Sequence, residues 1–134
     1  MPAFNKFNAW AENMVEVANL NTDQFVIALT NTAPVATNSV LADITQIAYT
    51  NLSARNVTTT SASQSGGSFT LVLADLVLTA SGSVGPFRYV VLFDDTPTSP
   101  ADPLVGWWDY GSSITMANGE TFTVDFTGAA ITLS

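Results

Sequence analysis

The sequence contains neither histidine nor cysteine. Histidine is the commonest general base near neutral pH, and with cysteine it supplies most ligands of zinc and other transition metals. Their absence excludes Ser-His-Asp and Cys-His catalytic sites, together with zinc, haem, blue-copper and iron–sulfur centres built on those ligands. Only carboxylates, hydroxyl groups and one lysine remain as reactive groups. We therefore expect no cofactor, no metal centre and no enzymatic activity.

Basic residues are also scarce, since 3 of them stand against 11 acidic residues for a net charge of −8. Lys6, Arg55 and Arg88 are far apart in the sequence and cannot neutralise a track of phosphates, and an anionic membrane surface would repel the chain. No apolar run approaches the roughly 18 residues of a membrane span. Glu12 and Glu16 interrupt the region where a signal peptide is apolar. The sequence predicts a soluble, non-exported protein with no nucleic-acid or membrane partner.

The chain is instead rich in apolar and uncharged polar residues. Of its 134 residues, 47% are apolar and 10% are charged, whereas about 25% are charged in an ordinary soluble domain. Thr, Ser, Asn and Gln replace the usual charged surface. With 8 Phe and 3 Trp, a chain of this length can bury a core without disulfides or metals. No linker divides it, so we predict a single domain over residues 1–134.

Apolar side chains recur every three or four residues near the N-terminus, which predicts an amphipathic helical arm over residues 1–19. Either this stripe packs on the domain's own sheet, or Phe4, Phe7 and Trp10 dock on a neighbouring subunit. The sequence leaves both interpretations open. The stripe consists of Phe4, Phe7, Trp10, Ala11, Met14 and Ala18.

From residue 23 onward, short apolar runs alternate with turn-forming clusters, which is typical of β structure. The nearly continuous apolar run Phe87–Phe93 predicts a central strand that is buried on both faces. Seven or more short strands after one helix predict a mainly β protein, with a β-sandwich or barrel-like domain over residues 23–134 and an N-terminal α-helical arm.

Several local patterns refine this prediction. Ser65-Gly66-Gly67 predicts a hairpin turn, and Asn118-Gly119 predicts a hairpin between residues 114–116 and 122–126. Ile131 and Leu133 predict a last strand. Residues 40–49 are compatible with a short helix or with an irregular connection.

Residues 94–103 contain three aspartates and three prolines, which predicts a loop. Paired carboxylates can bind Ca²⁺ or hydrolyse a glycosidic bond. The loop lacks the alternating ligands and the glycine of a calcium-binding loop, so a solvated loop is the favoured interpretation. Whether it binds a cation stays open.

Trp107 and Trp108 lie in a second apolar run, Leu104–Tyr110. Neighbouring residues of a strand face opposite sides, so at least one of the two indoles is expected to leave the core. With Tyr110 they could form an aromatic platform for sugars or for another protein. The alternative is ordinary core and cross-strand packing.

Taken together, several stretches resemble a group of small structural proteins of tailed bacteriophages, some of which are capsid decoration (cement) proteins. The resemblance covers nearly the whole chain and carries no catalytic or cofactor residues. The stretches are Lys6–Glu12 (KFNAWAE), Ile27–Pro34 (IALTNTAP), Ser39–Thr45 (SVLADIT), Gly85–Leu92 (GPFRYVVL) and Gly106–Gly111 (GWWDYG).

The resemblance implies a non-enzymatic virion protein that is assembled in the bacterial host cytoplasm and binds the outer face of a phage head. Its partners would be the major capsid protein and further copies of itself, with a trimer favoured. A tail or head–tail connector protein, or a carbohydrate- or host-surface-binding β-module, is the alternative function. The expected interface residues are Phe4, Phe7, Trp10, Asp94, Asp95, Pro97, Pro100, Trp107 and Trp108.

Overall fold

Ten β-strands and one short α-helix make up the computed structural model, which describes residues 2–126 and 131–133. Met1 and Ser134, the ends of the predicted single domain, lie outside the described residues. The elements are β1 (Asn5–Lys6), α1 (Trp10–Glu16), β2 (Phe25–Thr30), β3 (Asn56–Val57), β4 (Thr59–Ser65), β5 (Ser68–Leu73), β6 (Leu76–Thr79), β7 (Val84–Asp94), β8 (Leu104–Met116), β9 (Thr121–Val124) and β10 (Ile131–Leu133).

The largest sheet has five strands in the order β1-β8-β7-β2-β3. Every pairing in it is antiparallel. All six residues of β2 are buried, and β7 is buried continuously from Val90 to Asp94, because side chains of these strands pack on both faces of the sheet. The predicted central strand at Phe87–Phe93 is therefore confirmed.

Two smaller antiparallel sheets, β10-β5-β4 and β6-β9, contribute apolar side chains to the same core as the five-stranded sheet. Leu71 of β5, Leu78 of β6 and Val124 of β9 are fully buried in that core. Their strands alternate buried and more exposed residues, as expected for strands with one face toward a core. The mainly β, sandwich-like prediction is confirmed.

The two predicted hairpins have different outcomes. Gly66 and Gly67 have φ angles of +58° and +83° and join β4 to β5, as predicted. Asn118-Gly119 also forms a turn, but the predicted hairpin is wrong because β9 pairs with β6. The Gly119 amide donates to the Ala80 carbonyl at 2.7 Å, which holds this turn against the end of β6.

The predicted helical arm over residues 1–19 is wrong in extent. Asn5 and Lys6 pair with Trp107 and Gly106 of β8, and the next amide, that of Phe7, donates to the Val105 carbonyl. Hydrogen bonds to the open edge of β8 thus override the helical spacing of this segment. The helix is confined to Trp10–Glu16.

The two uncertain connections are also defined. Residues 40–49 contain a single 3-10 turn, Leu41–Asp43, within an irregular segment. The Asp43 carboxylate accepts the Ser39 and Val40 amides at 2.9 and 3.3 Å, which holds the pKa of Asp43 below its usual value. At the other end of the chain, Ile131–Leu133 forms the predicted last strand, β10.

Candidate protein-interaction surfaces

Phe7 and Trp10 lie in the core and are not available as docking anchors, which corrects the sequence-based prediction. Phe7 is fully buried, with its ring centroid 4.6 Å from that of Trp107. Trp10 is 1% exposed and meets Phe25 edge-on at 6.5 Å. The start of α1 is thereby fixed to the sheet.

Phe4 is the one predicted N-terminal anchor that reaches solvent, because 39% of it is exposed. Its ring also packs 5.2 Å from that of Trp108. This close approach needs Gly106, since a Cβ at that position would overlap the Phe4 ring. Phe4 is therefore a fixed apolar side chain at the surface.

Phe4 borders a groove of about 620 Å³ between the N-terminal segment and β10. Val15 of α1 and Leu133 of β10 line the same groove and are 72% and 47% exposed. We call Phe4, Val15 and Leu133 the arm surface. A shallower depression of about 420 Å³ continues from Val15 and Leu133 to Phe69.

Val15 and Leu133 were not among the residues expected at an interface. The helical spacing could have identified Val15, because Val15 follows Ala11 by four residues and therefore lies on the same side of the helix. Leu133 could not be assigned from sequence, since its exposure depends on which strand β10 pairs with.

Trp107 and Trp108 face opposite sides of β8, as their adjacency predicts. Trp108 is 4% exposed and packs edge-on against Phe126 at 5.6 Å, whereas Trp107 is half-buried against Phe7. Trp107 therefore leaves the large core, as expected for one of the pair, and packs half-buried against a smaller apolar cluster. Tyr110 packs against Phe122 at 5.1 Å. These residues do not form an exposed platform.

Asp94 is a core residue and not an exposed loop residue, which corrects its assignment to an interface. It ends β7 and is fully buried. Its Oδ1 accepts the Thr96 amide at 3.3 Å, while its buried Oδ2 faces no donor. Burial, together with the neighbouring carboxyl of Asp23, raises the pKa of Asp94 to about 8. At neutral pH Asp94 is therefore mainly protonated and can donate to Asp23.

The rest of the predicted loop, residues 95–103, is held at both ends. The Asp95 amide donates to the Gln24 carbonyl at 2.9 Å, and the Asp94 amide donates to the Pro103 carbonyl at 3.0 Å. Asp95 is exposed, while Pro97 and Pro100 are half-buried. The loop therefore presents a short, tethered tip that remains a candidate contact surface.

The carboxyl groups around this loop lie close together in pairs, Asp94 with Asp23 and Asp102 with Asp95. Desolvation and the nearby Asp95 raise the pKa of Asp102 above its usual value. Within the part of the chain that the structure describes, no three acidic side chains converge as ligands of one metal ion. Asp94 instead lies beside the single carboxyl of Asp23.

Comparisons with protein-family models, with curated proteins and with solved structures find no match for this chain. Among residues 2–126 and 131–133, no helix is long and apolar enough to cross a membrane.

Proposed function

We propose that this chain is a non-enzymatic structural subunit of a virion, of the capsid decoration type, which binds the outer face of a phage head. The observation that carries the proposal is the arm surface. It places three large exposed apolar side chains in one open groove. Exposed apolar surface of this kind is typical of contact with another protein. The resemblance to phage structural proteins suggests that the partner is a virion.

The proposed contact with the major capsid protein is the tip of residues 95–103. Asp95 is exposed there. Backbone hydrogen bonds to the carbonyls of Gln24 and Pro103 hold the two ends of the segment before binding. Because a tethered, proline-rich tip loses little conformational freedom on docking, it is suited to repeated contacts on a shell. The net charge of −8 favours a position away from packaged DNA.

The Thr- and Ser-rich surface supports the same role. β4 exposes most of its side chains, and none of them is charged. Uncharged polar groups have a smaller desolvation cost than ions when a neighbouring subunit covers them. The alternative glycan-binding function depends on Trp107 and Trp108, whose packing favours a structural role for both.

Locating the labelled chain on virions by electron microscopy tests this proposal. Decoration predicts copies in the hundreds over the head surface, whereas a ring of fixed copy number at the tail or connector would support the alternative. Absence of the chain from virions would contradict a structural role.

A pair of substitutions then tests the contact with the shell. Thr98→Arg changes the exposed loop tip, and Thr123→Arg makes the same change on exposed β9. We expect Thr98→Arg to weaken binding to the shell about tenfold, which corresponds to about 1.4 kcal/mol, and Thr123→Arg to leave it unchanged. Equal binding of both variants would rule out the loop as the contact.

A further inference from the structure

We propose that the arm surface is the contact between two copies of this chain, related by a two-fold axis. In this contact, Phe4, Val15 and Leu133 of each copy cover those of the other, and Lys6 of each copy faces Glu12 and Glu16 of the other. The inference concerns pairing between copies and does not depend on the virion role.

Exposed apolar side chains are concentrated at the arm surface. Among the described residues five large apolar side chains are exposed, and three of them form the arm surface. The surface is also fixed in advance. Trp10 anchors α1 in the core, and the Asn13 carbonyl accepts the Val17 and Ala18 amides at 3.0 and 2.9 Å, which closes the helix. Pairing would therefore bury apolar area with little loss of conformational entropy.

Open edges of two sheets also lie at the arm surface. In residues 2–126 and 131–133, β1 pairs only with β8, and β10 pairs only with β5, so both strands are sheet edges. Both edges border the arm surface, through Phe4 and Lys6 near β1 and Leu133 on β10. An open edge is a template for a further strand. Two identical edges can pair antiparallel across a two-fold axis, which would extend the β10-β5-β4 sheet into a second copy.

Charges of both signs surround the arm surface. Lys6 borders the groove before α1, and Glu12 and Glu16 lie one residue beyond Ala11 and Val15 around the helix. Hydrogen bonding and charge repulsion from Glu12 raise the pKa of Glu16. Among the described residues no cation forms a salt bridge with either glutamate. A second copy rotated by 180° can supply that cation.

The charges also favour a second copy over a purely basic partner. Arg88 pairs with Asp109 at 2.8 Å, and Arg55 stacks 3.7 Å from the ring centre of Tyr49. In the described part of the chain this leaves Lys6 as the basic side chain without an internal partner. A basic partner would attract the glutamates but repel Lys6, whereas a second copy complements both. This two-fold contact predicts a dimer as the smallest oligomer, in place of the trimer that the resemblance implies.

Sedimentation equilibrium of the full chain tests the pairing. We expect the wild type to dimerise and Val15→Ser to weaken the dimer at least tenfold. Val35→Ser is the matched control, because Val35 is 53% exposed and lies outside the arm surface. Thermal unfolding of each variant checks that the fold is retained. A wild type that stays monomeric, or an oligomer that Val15→Ser does not weaken, would overturn the proposal.

Charge reversal tests the two-fold arrangement itself. Lys6→Glu and Glu16→Lys should each weaken the dimer, and the double variant Lys6→Glu/Glu16→Lys should restore it. The Glu16→Lys result is the more demanding one, because this change lowers the net negative charge and would otherwise promote association. No rescue in the double variant would overturn the assigned contact. Virion occupancy of the rescued variant is measured separately, so failure of the decoration role leaves the pairing result intact.

Discussion

The two faces of the five-stranded sheet are covered in different ways. Along β7, Val90 and Leu92 point into a large cluster that includes side chains of β5, β6, β9 and β10. Val91 and Phe93, on the other face, point into a small cluster with Phe7 and the half-buried Trp107. One strand thus serves two cores, because successive side chains of a strand point to opposite faces.

The difference lies in what covers each cluster. Strands β5, β6, β9 and β10, together with Trp10 of α1, cover the large cluster. The segment with Phe7 and the irregular segment with Leu41 and Ile44 cover the small one. The N-terminal segment over the small cluster is held by few strand pairs, since β1 pairs with β8 through only two residues. Regions with few such contacts open at a lower free energy than a central sheet. The small cluster should therefore open without unfolding of the large one.

The largest effect is expected from a truncation in the large cluster. Phe87 is fully buried and meets Phe122 edge-on at 5.3 Å. Phe87→Ala should lower the free energy of unfolding by about 3–5 kcal/mol, because it removes apolar contacts and leaves a cavity. Urea denaturation measures this loss. Val77→Ala, at an exposed position of β6, is the control and should change stability by less than about 1 kcal/mol.

A truncation in the small cluster should have a smaller and more local effect. Phe7→Ala removes the ring that packs on Trp107, and we expect a loss of about 3 kcal/mol, the lower end of the range for buried Phe. Hydrogen exchange should accelerate at the paired amides of β1 and β8 and stay slow in the pairing of β2 with β7. Equal acceleration in both regions would show that the two clusters open as one unit.

The comparison of the two faces also separates what the sequence could predict from what it could not. The apolar run at Phe87–Phe93 identified the central strand, because burial on both faces requires it. The glycines at 66 and 67 identified a hairpin, because the turn requires positive φ angles. Such features depend on residues that are close in sequence.

Features set by distant contacts were missed. Phe4 and Phe7 have helical spacing, yet pairing of Asn5 and Lys6 with β8 keeps them out of the helix. The Asn118-Gly119 turn is local, but β9, the strand that follows it, pairs with β6. The paired residues are 42 or more positions apart in the sequence. The arm surface joins α1 to β10 across most of the chain. A local sequence pattern does not indicate which edge strand packs beside which helix.

Asp94 gives the last and most specific test, since it places a titratable group on the large-cluster face. Asp94 lies opposite Phe25 in the pairing of β2 with β7, and Phe25 belongs to the large cluster. Burial raises the pKa of Asp94 to about 8, whereas an unfolded aspartate has a pKa of about 3.9. Between these values the unfolded chain releases a proton that the folded chain retains. This contribution to stability is therefore complete below about pH 4 and declines as pH rises toward about 8.

The slope expected from Asp94 is a loss of about 1 kcal/mol per pH unit within that window. Asp94→Asn should remove the slope and be more stable than wild type at pH 8, because the neutral amide keeps the acceptor for Thr96 and can donate to Asp23. Asp43→Asn is the control, since amide donors lower the pKa of Asp43 and its contribution is lost only in acid. Urea denaturation at several pH values measures all three proteins. A wild-type slope that persists in Asp94→Asn would assign the titration to another group, and the large-cluster face would then bury an ionised carboxylate.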